Sequence, residues 1–196
     1  MAVLPPRFYA RATEQVARAM LGTILECTVN GVRTRGRIVE TEAYLGEHDA
    51  ACHAAIGRTP RTEGLYGPPG TAYVYRIYGM YWCANAVTRR KGWPAAVLIR
   101  ALEPLEGVDA MWARRPKATR ERDLCAGPGR LCDALGISGH AHHGAWLHTS
   151  ALRILQGAPI PERLVARTAR IGMNPTNAAR DWPLRWIVRG HPCVSK

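Results

Sequence analysis

The chain has 196 residues, enough for one domain with a substantial core and short for two. Apolar residues make up 47%, which excludes general disorder, and a formal net charge of +12 with a pI near 10 favours a polyanionic partner. Arginine supplies 24 of the 27 basic residues, giving planar phosphate clamps and few candidate amine nucleophiles.

Cys27, Cys52, Cys83, Cys125, Cys132 and Cys193 are scattered, and no two form a C-x-x-C pair. Free buried thiols in a reducing compartment are expected rather than a disulfide framework. The first residues lack the long apolar core of a signal peptide, and no apolar run approaches a membrane span. A soluble, cytoplasmic protein is the expectation.

In chain order, residues 13–22 predict a short helix with Thr13 as N-cap, Val16, Met20 and Leu21 on its apolar side and Gly22 at its end. Thr23 to Val29 and Val32 to Thr41 predict a hairpin joined by Asn30-Gly31, a pair suited to a type I′ turn. Glu42 then falls where the second strand runs out. Residues 46–70 form a Gly-, Pro-, His- and Arg-rich loop long enough to be functional.

Thr71 to Ile77 and Tyr81 to Thr88 predict two strands joined across residues 78–80, and Ala95 to Leu102 a central one. Helices are expected over 105–115, 127–135 and 161–171, a charged exposed stretch over 114–122, a loop over 140–144 and a closing strand over 184–188. Hairpins and separate helices without βαβ alternation predict an α+β class: a single compact domain over 1–196 with a mainly antiparallel sheet.

Two neighbouring stretches carry the candidate chemistry. Glu40 and Glu42 share strand parity, and Ala43, Tyr44 and Leu45 suggest partial burial of Glu42, which would raise the value of that carboxylate as a base; a solvated carboxylate is the plain alternative. Tyr44, His53 and Tyr75 could wall a slot that stacks a flat ring, although Tyr73 and Tyr75 also suit any strand. Tyr78 lies beside Gly79 at a hairpin tip, where a large exposed ring suits entry into a base stack.

The histidines at 140, 142, 143 and 148, with Cys132, lack the two-plus-two spacing of a zinc site. Gly127-Pro128-Gly129 before a helix could offer amides to a phosphate. No P-loop or dinucleotide fingerprint is present.

Residues 35–46 (RGRIVETEAYLG), 69–81 (PGTAYVYRIYGMY), 98–107 (LIRALEPLEG), 124–128 (LCAGP) and 188–195 (VRGHPCVS) together resemble the alkyladenine, or 3-methyladenine, DNA glycosylase family. The resemblance covers nearly the whole chain. It implies a compact α+β domain with a curved antiparallel sheet and a protruding hairpin, acting as a monomer with no metal or cofactor on double-stranded DNA containing damaged purines, and located with the nucleoid.

The resemblance also implies roles. Glu42 would activate the attacking water. Tyr44, His53 and Tyr75 would surround the flipped base, with the His53 amide reading its edge. Tyr78 would fill the gap in the duplex, Asn85 would reject the amino group of guanine, and Arg100 would order the site. Arg58, Arg61, Met80 and Tyr81 would flank the DNA. Expected substrates are 3-methyladenine, 7-methylguanine, hypoxanthine and ethenoadenine, and with only Lys91, Lys117 and Lys196 as lysines the expected product is an abasic site without strand cleavage. Two alternatives stand beside this reading: a non-catalytic nucleic-acid-binding module, and a metal-dependent nuclease built on His140 to His148.

Overall fold

The computed structural model describes residues 1–195. Its first turn is the expected one: Asn30 at φ 51° and Gly31 at φ 78° join strand β1 (Ile24–Val29) to β2 (Val32–Tyr44), with Val29 opposite Val32. Two left-handed residues in succession are what a type I′ turn requires, and Asn-Gly adopts them at least cost.

Strand β2 runs past Thr41, where the sequence placed its end. Ala43 and Tyr44 keep pairing with Val97 and Ala96 of β5 (Ala95–Glu106), so Glu42 lies inside the strand rather than in a loop. Strands β3 (Ala72–Ile77) and β4 (Tyr81–Thr88) form the second predicted hairpin. The sheet has eight strands, is not closed, and runs β3-β4-β5-β2-β1-β6, where β6 is Leu152–Leu155; β8 (Arg185–Val188) pairs with β2 and with β7 (Val165–Thr168). Every pairing is antiparallel. Register shifts between β2 and β5 around residues 35–41 bend β2 and turn it from β1 towards β8.

Helix α1 (Pro6–Tyr9) and strand β6 were not expected from the sequence. Helix α2 (Thr13–Met20) buries Val16, Met20 and the following Leu21 as predicted, but Ala12 is its N-cap. Thr13 instead faces inward, its hydroxyl 2.9 Å from that of Thr88. Helix α3 (Val108–Arg114) begins later than expected because β5 continues to Glu106. Helix α4 (Pro128–Leu135) matches, and the 140–144 stretch contains one helical turn, α5 (Gly139–His142).

The helix expected over 161–171 does not form. A 3-10 turn over Glu162–Leu164 leads into β7, whose four residues pair with β8. Pairing to a distant strand overrides local helical preference here.

A main core fills the sheet–helix space, while Cys52, Ala54, Leu65, Tyr66, Tyr73, Val87 and Ala96 make a separate cluster under the 46–70 loop, with Tyr44 and Tyr75 packed on it. That loop is therefore folded, with 3-10 turns over His53–Ile56 and Glu63–Tyr66. All six cysteines are free and buried, as expected. Among the described residues no helix is long and apolar enough to cross a membrane.

Candidate active site

One cleft of about 1640 Å³ runs across the molecule, roomier than a single flat ring needs. Its two ends differ. At one end Tyr44 from β2, Tyr75 from β3, Asn85 from β4, Leu98 and Arg100 from β5 and His53 from the folded loop converge. At the other, a basic arm running from the last residue of α3 into the first turn of α4 contributes Arg114, Arg115, Lys117, Arg120, Arg122 and Arg130.

The aromatic end is a corner rather than a parallel-walled slot. His53 and Tyr75 meet edge to face, centroids 4.4 Å apart at 70°, and Tyr73 lies behind at 5.4 Å from Tyr75. His53 Nδ1 is 3.1 Å from the Tyr73 hydroxyl, which also donates to the Arg61 carbonyl at 3.2 Å. Burial, then the nearby Arg61 charge, lowers the His53 pKa and favours a neutral ring. Asn85 donates through Nδ2 to the Tyr73 carbonyl at 2.9 Å, which fixes the orientation of its amide.

Alternation along the end of β2 sends Glu40 and Glu42 to one side, where both are fully buried around Arg100. Arg100 donates to Glu40 from Nε at 3.0 Å and to Glu42 from Nη1 at 3.3 Å. Glu40 also accepts from Arg185 Nε at 2.7 Å and from the amide and hydroxyl of Ser195 at 2.7 and 2.9 Å, which fully occupies it. Glu42 accepts the Tyr44 hydroxyl at 2.9 Å and the Ile171 amide at 2.8 Å.

Burial raises the Glu42 pKa; Arg100, the Ile171 amide and the Tyr44 hydroxyl work against that rise, and Glu40 adds to it. Burial also pushes Tyr44 and Tyr75 well above the ordinary tyrosine value, so both stay phenols. Glu42 does not itself reach the cleft surface; its neighbours Tyr44, Leu98, Arg100 and Ile171 do. Such a group can hold negative charge next to the cleft and accept a proton across one hydrogen bond.

The β3–β4 hairpin projects beside the cleft. Tyr78 is 80% exposed at φ 52°, a left-handed conformation that a bulky side chain adopts only under strain. Met80 and Tyr81 flank it, both exposed. The start of α4 packs against the hairpin so closely that a Cβ at Gly129 would lie 2.9 Å from that of Tyr81. Arg58 is exposed, paired with Glu63 at 2.6 Å and laid over the Tyr66 ring at 5.1 Å, and does not line the cleft; Arg61 is exposed near His53.

The histidine cluster is dispersed. His142 is buried with Nε2 3.5 Å from Cys27 Sγ, His143 Nδ1 is 3.0 Å from the Val74 carbonyl, and His140 and His148 pack edge-on against Trp82 and Trp146. Among the described residues no group of three or more His, Cys, Asp or Glu is placed to hold a metal ion.

Several contacts of the site were not found from sequence: those of Arg185 and Ser195 with Glu40, that of the Ile171 amide with Glu42, and a buried pair between Asp49 and Arg170. The 114–122 charge run was visible as composition, but not its place on the cleft.

This architecture sets an aromatic corner and a buried carboxylate beside a strongly basic cleft wall. Residues 7–192 match the model of the methylpurine-DNA glycosylase (MPG) family. A protein of Myxococcus xanthus named "Putative 3-methyladenine DNA glycosylase" is 50% identical over 98% of this chain and 93% of its own length. Relatives of the same name in Methanocella arvoryzae and Clostridium acetobutylicum are 46% and 43% identical, over 100% and 96% of this chain and 97% and 95% of their own lengths. The chain belongs to the methylpurine-DNA glycosylase family.

Proposed function

We propose that residues 1–196 form a monofunctional DNA glycosylase domain that extrudes a damaged purine and hydrolyses its N-glycosidic bond with a water activated by Glu42. The observation that carries this reading is the buried Glu42 carboxylate, held by Arg100, Tyr44 and the Ile171 amide against the cleft's aromatic corner. It accounts at once for the aromatic rings, the basic arm and the hairpin.

A base inside a duplex is out of reach and must leave the stack, at a cost of a few kcal/mol that is least for damaged or mispaired bases. The arginines beside the cleft hold phosphates, Tyr78 enters the vacated space, and Tyr44, His53 and Tyr75 receive the base. As the bond between C1′ and the base nitrogen breaks, its electron pair leaves with the base and positive charge develops on the sugar. The Glu42 carboxylate stabilises that charge. Water then forms the new bond to C1′ and gives its proton to Glu42, which becomes accessible when the Tyr44 hydroxyl yields its place on Oε2. The products are a free base and an abasic site.

Alkylated purines such as 3-methyladenine and 7-methylguanine carry positive charge and leave readily; hypoxanthine and ethenoadenine need a proton on the leaving base. Asn85 lines the cleft with its amide held by the Tyr73 carbonyl, which supports a role in disfavouring an exocyclic amino group such as that of guanine. Lys91, Lys117 and Lys196 all lie outside the sequence stretches that carry Glu42 and the aromatic residues of the site. No borohydride-trapped protein–DNA adduct is therefore expected.

The deciding assay is release of free base from duplexes containing hypoxanthine or 3-methyladenine, in EDTA, comparing wild type with Glu42→Gln. Wild type should release base, and the variant should be slower by about 10² to 10⁴-fold while still binding DNA. Tight DNA binding without release of either base would instead favour the binding-module alternative.

A further inference from the structure

Asp49 and Arg170 are separated by 121 residues, and neither lines the cleft, yet their side chains are fully buried against its back wall. Arg170 donates from Nη1 and Nη2 to the two Asp49 oxygens at 2.6 and 2.8 Å, and from Nη1 to the Ala43 carbonyl at 2.9 Å. Its guanidinium lies over the Tyr44 ring, 4.7 Å from the centroid. Asp49 meanwhile accepts the amides of Leu45 and Ala51 at 3.0 and 3.1 Å, and its carbonyl accepts the amide of Cys52 at 2.8 Å, where the turn carrying His53 begins.

The residue after Arg170 is Ile171, whose amide bonds Glu42. One ion pair thus joins three pieces of the site: the end of β2 with Glu42 and Tyr44, the loop that presents His53, and the 169–173 segment at the cleft wall. Desolvation offsets most of the attraction in a buried pair, so such a pair contributes little net stability. What the arginine fork contributes is a fixed orientation.

We infer that Asp49 and Arg170 are positioning residues of the glycosylase reaction, setting the Tyr44 ring and, through the 169–173 segment, the Ile171 amide against Glu42. The inference rests on the reading of Glu42 as the general base. It has a signature beyond rate. The groups around Glu42 are Arg100, Tyr44 and the Ile171 amide, which favour its charged form, and Glu40, which opposes it; Tyr75 and Cys83 face it as neutral groups, and Arg170 and Arg185 complete the charged surroundings. Freeing the Ile171 amide removes one of the supports of the carboxylate, so Glu42 should hold its proton to higher pH.

Single-turnover base release across pH, melting and affinity for an abasic-site duplex should be compared for wild type, Arg170→Met, Arg170→Lys and Asp49→Asn. Arg170→Met and Asp49→Asn should slow release about a hundredfold, the cost of slightly misplaced reacting groups. Their acid limbs should move to higher pH while duplex affinity stays within about threefold, and Arg170→Lys, which keeps the charge without the fork, should recover part of the rate. Folded variants with the wild-type rate and acid limb would overturn the inference, as would a loss that merely follows the unfolded fraction with the limb unmoved. If Arg170→Met does not fold, the other two variants decide on the same readout. Absence of release by wild type would overturn the glycosylase reading and this inference with it.

Discussion

Glu40 and Glu42 stand two residues apart on one strand, both without solvent exposure, and reach the same guanidinium, that of Arg100. Their partners divide them. Glu40 is enclosed by Arg100, Arg185 and the Ser195 amide and hydroxyl, whereas Glu42 is held by weaker or neutral donors whose owners line the cleft. One carboxylate is built into the framework and the other is poised at its edge.

Removing the charge of Glu40 should accordingly act on the fold. Glu40→Gln leaves the largely buried Arg185 without its carboxylate and Arg100 with Glu42 alone, a defect of about 3 to 5 kcal/mol. Urea denaturation should show that loss as a lower midpoint at unchanged slope. A variant with wild-type stability and reduced base release would assign Glu40 a chemical role.

The pH dependence follows from Glu42. Its folded-state pKa is raised above 4.5, chiefly by burial, and only the ionised form can stabilise the sugar and accept a proton. Single-turnover rates should therefore fall on the acid side with a midpoint above 4.5. The stability effect has the opposite sense: the group's contribution is full below its unfolded value and is lost as pH rises through the folded one. A rate that stays flat down to pH 4.5 would exclude Glu42 as the base.

Tyr78 should separate stability from activity. Its left-handed backbone suits asparagine better than a bulky aromatic. Tyr78→Asn should leave unfolding free energy unchanged or raise it by up to about 1 kcal/mol, because the ring is exposed and buries little. Base release from a paired duplex should nevertheless slow. Equal release rates for variant and wild type would remove the wedge role.

The basic arm should govern salt dependence. Arg120 is paired with Asp123 and Arg115 approaches Asp133, while Lys117, Arg122 and Arg130 have no carboxylate partner among the described residues. Alanine at each of the latter should reduce the slope of log affinity against log salt by about 0.9, the value of one phosphate contact. An unchanged slope in the triple variant would place the DNA on another face.

Local features of the fold were legible in the sequence. Asn30-Gly31 specified its turn through two backbone angles that few other pairs adopt, and Tyr81 to Thr88 announced a strand through composition alone. The aromatic and acidic residues of the cleft were visible because their motifs are contiguous, as were the hairpin residues around Tyr78. Features that depend on partners far along the chain were not. Val165 to Thr168 is a strand because Arg185 to Val188 lies beside it, and nothing within 161–171 encodes that neighbour. Asp49 and Arg170 each resemble an ordinary surface charge until folding brings them within 2.6 Å. The extension of β2 through Glu42 depends likewise on Leu98 and Arg185 at its flanks.

Glu40 binds Ser195, and Glu42 binds Ile171, so the centre draws on residues separated by as many as 155 positions. A chain emerging from the ribosome exposes Glu42 and Tyr44 early, but Arg170 and Ile171, which help to orient them, follow more than a hundred residues later. Closing such long loops is the slow part of folding. The order of synthesis thus leaves the Glu42 carboxylate without its amide donor until more than a hundred further residues, up to Ile171, have been made.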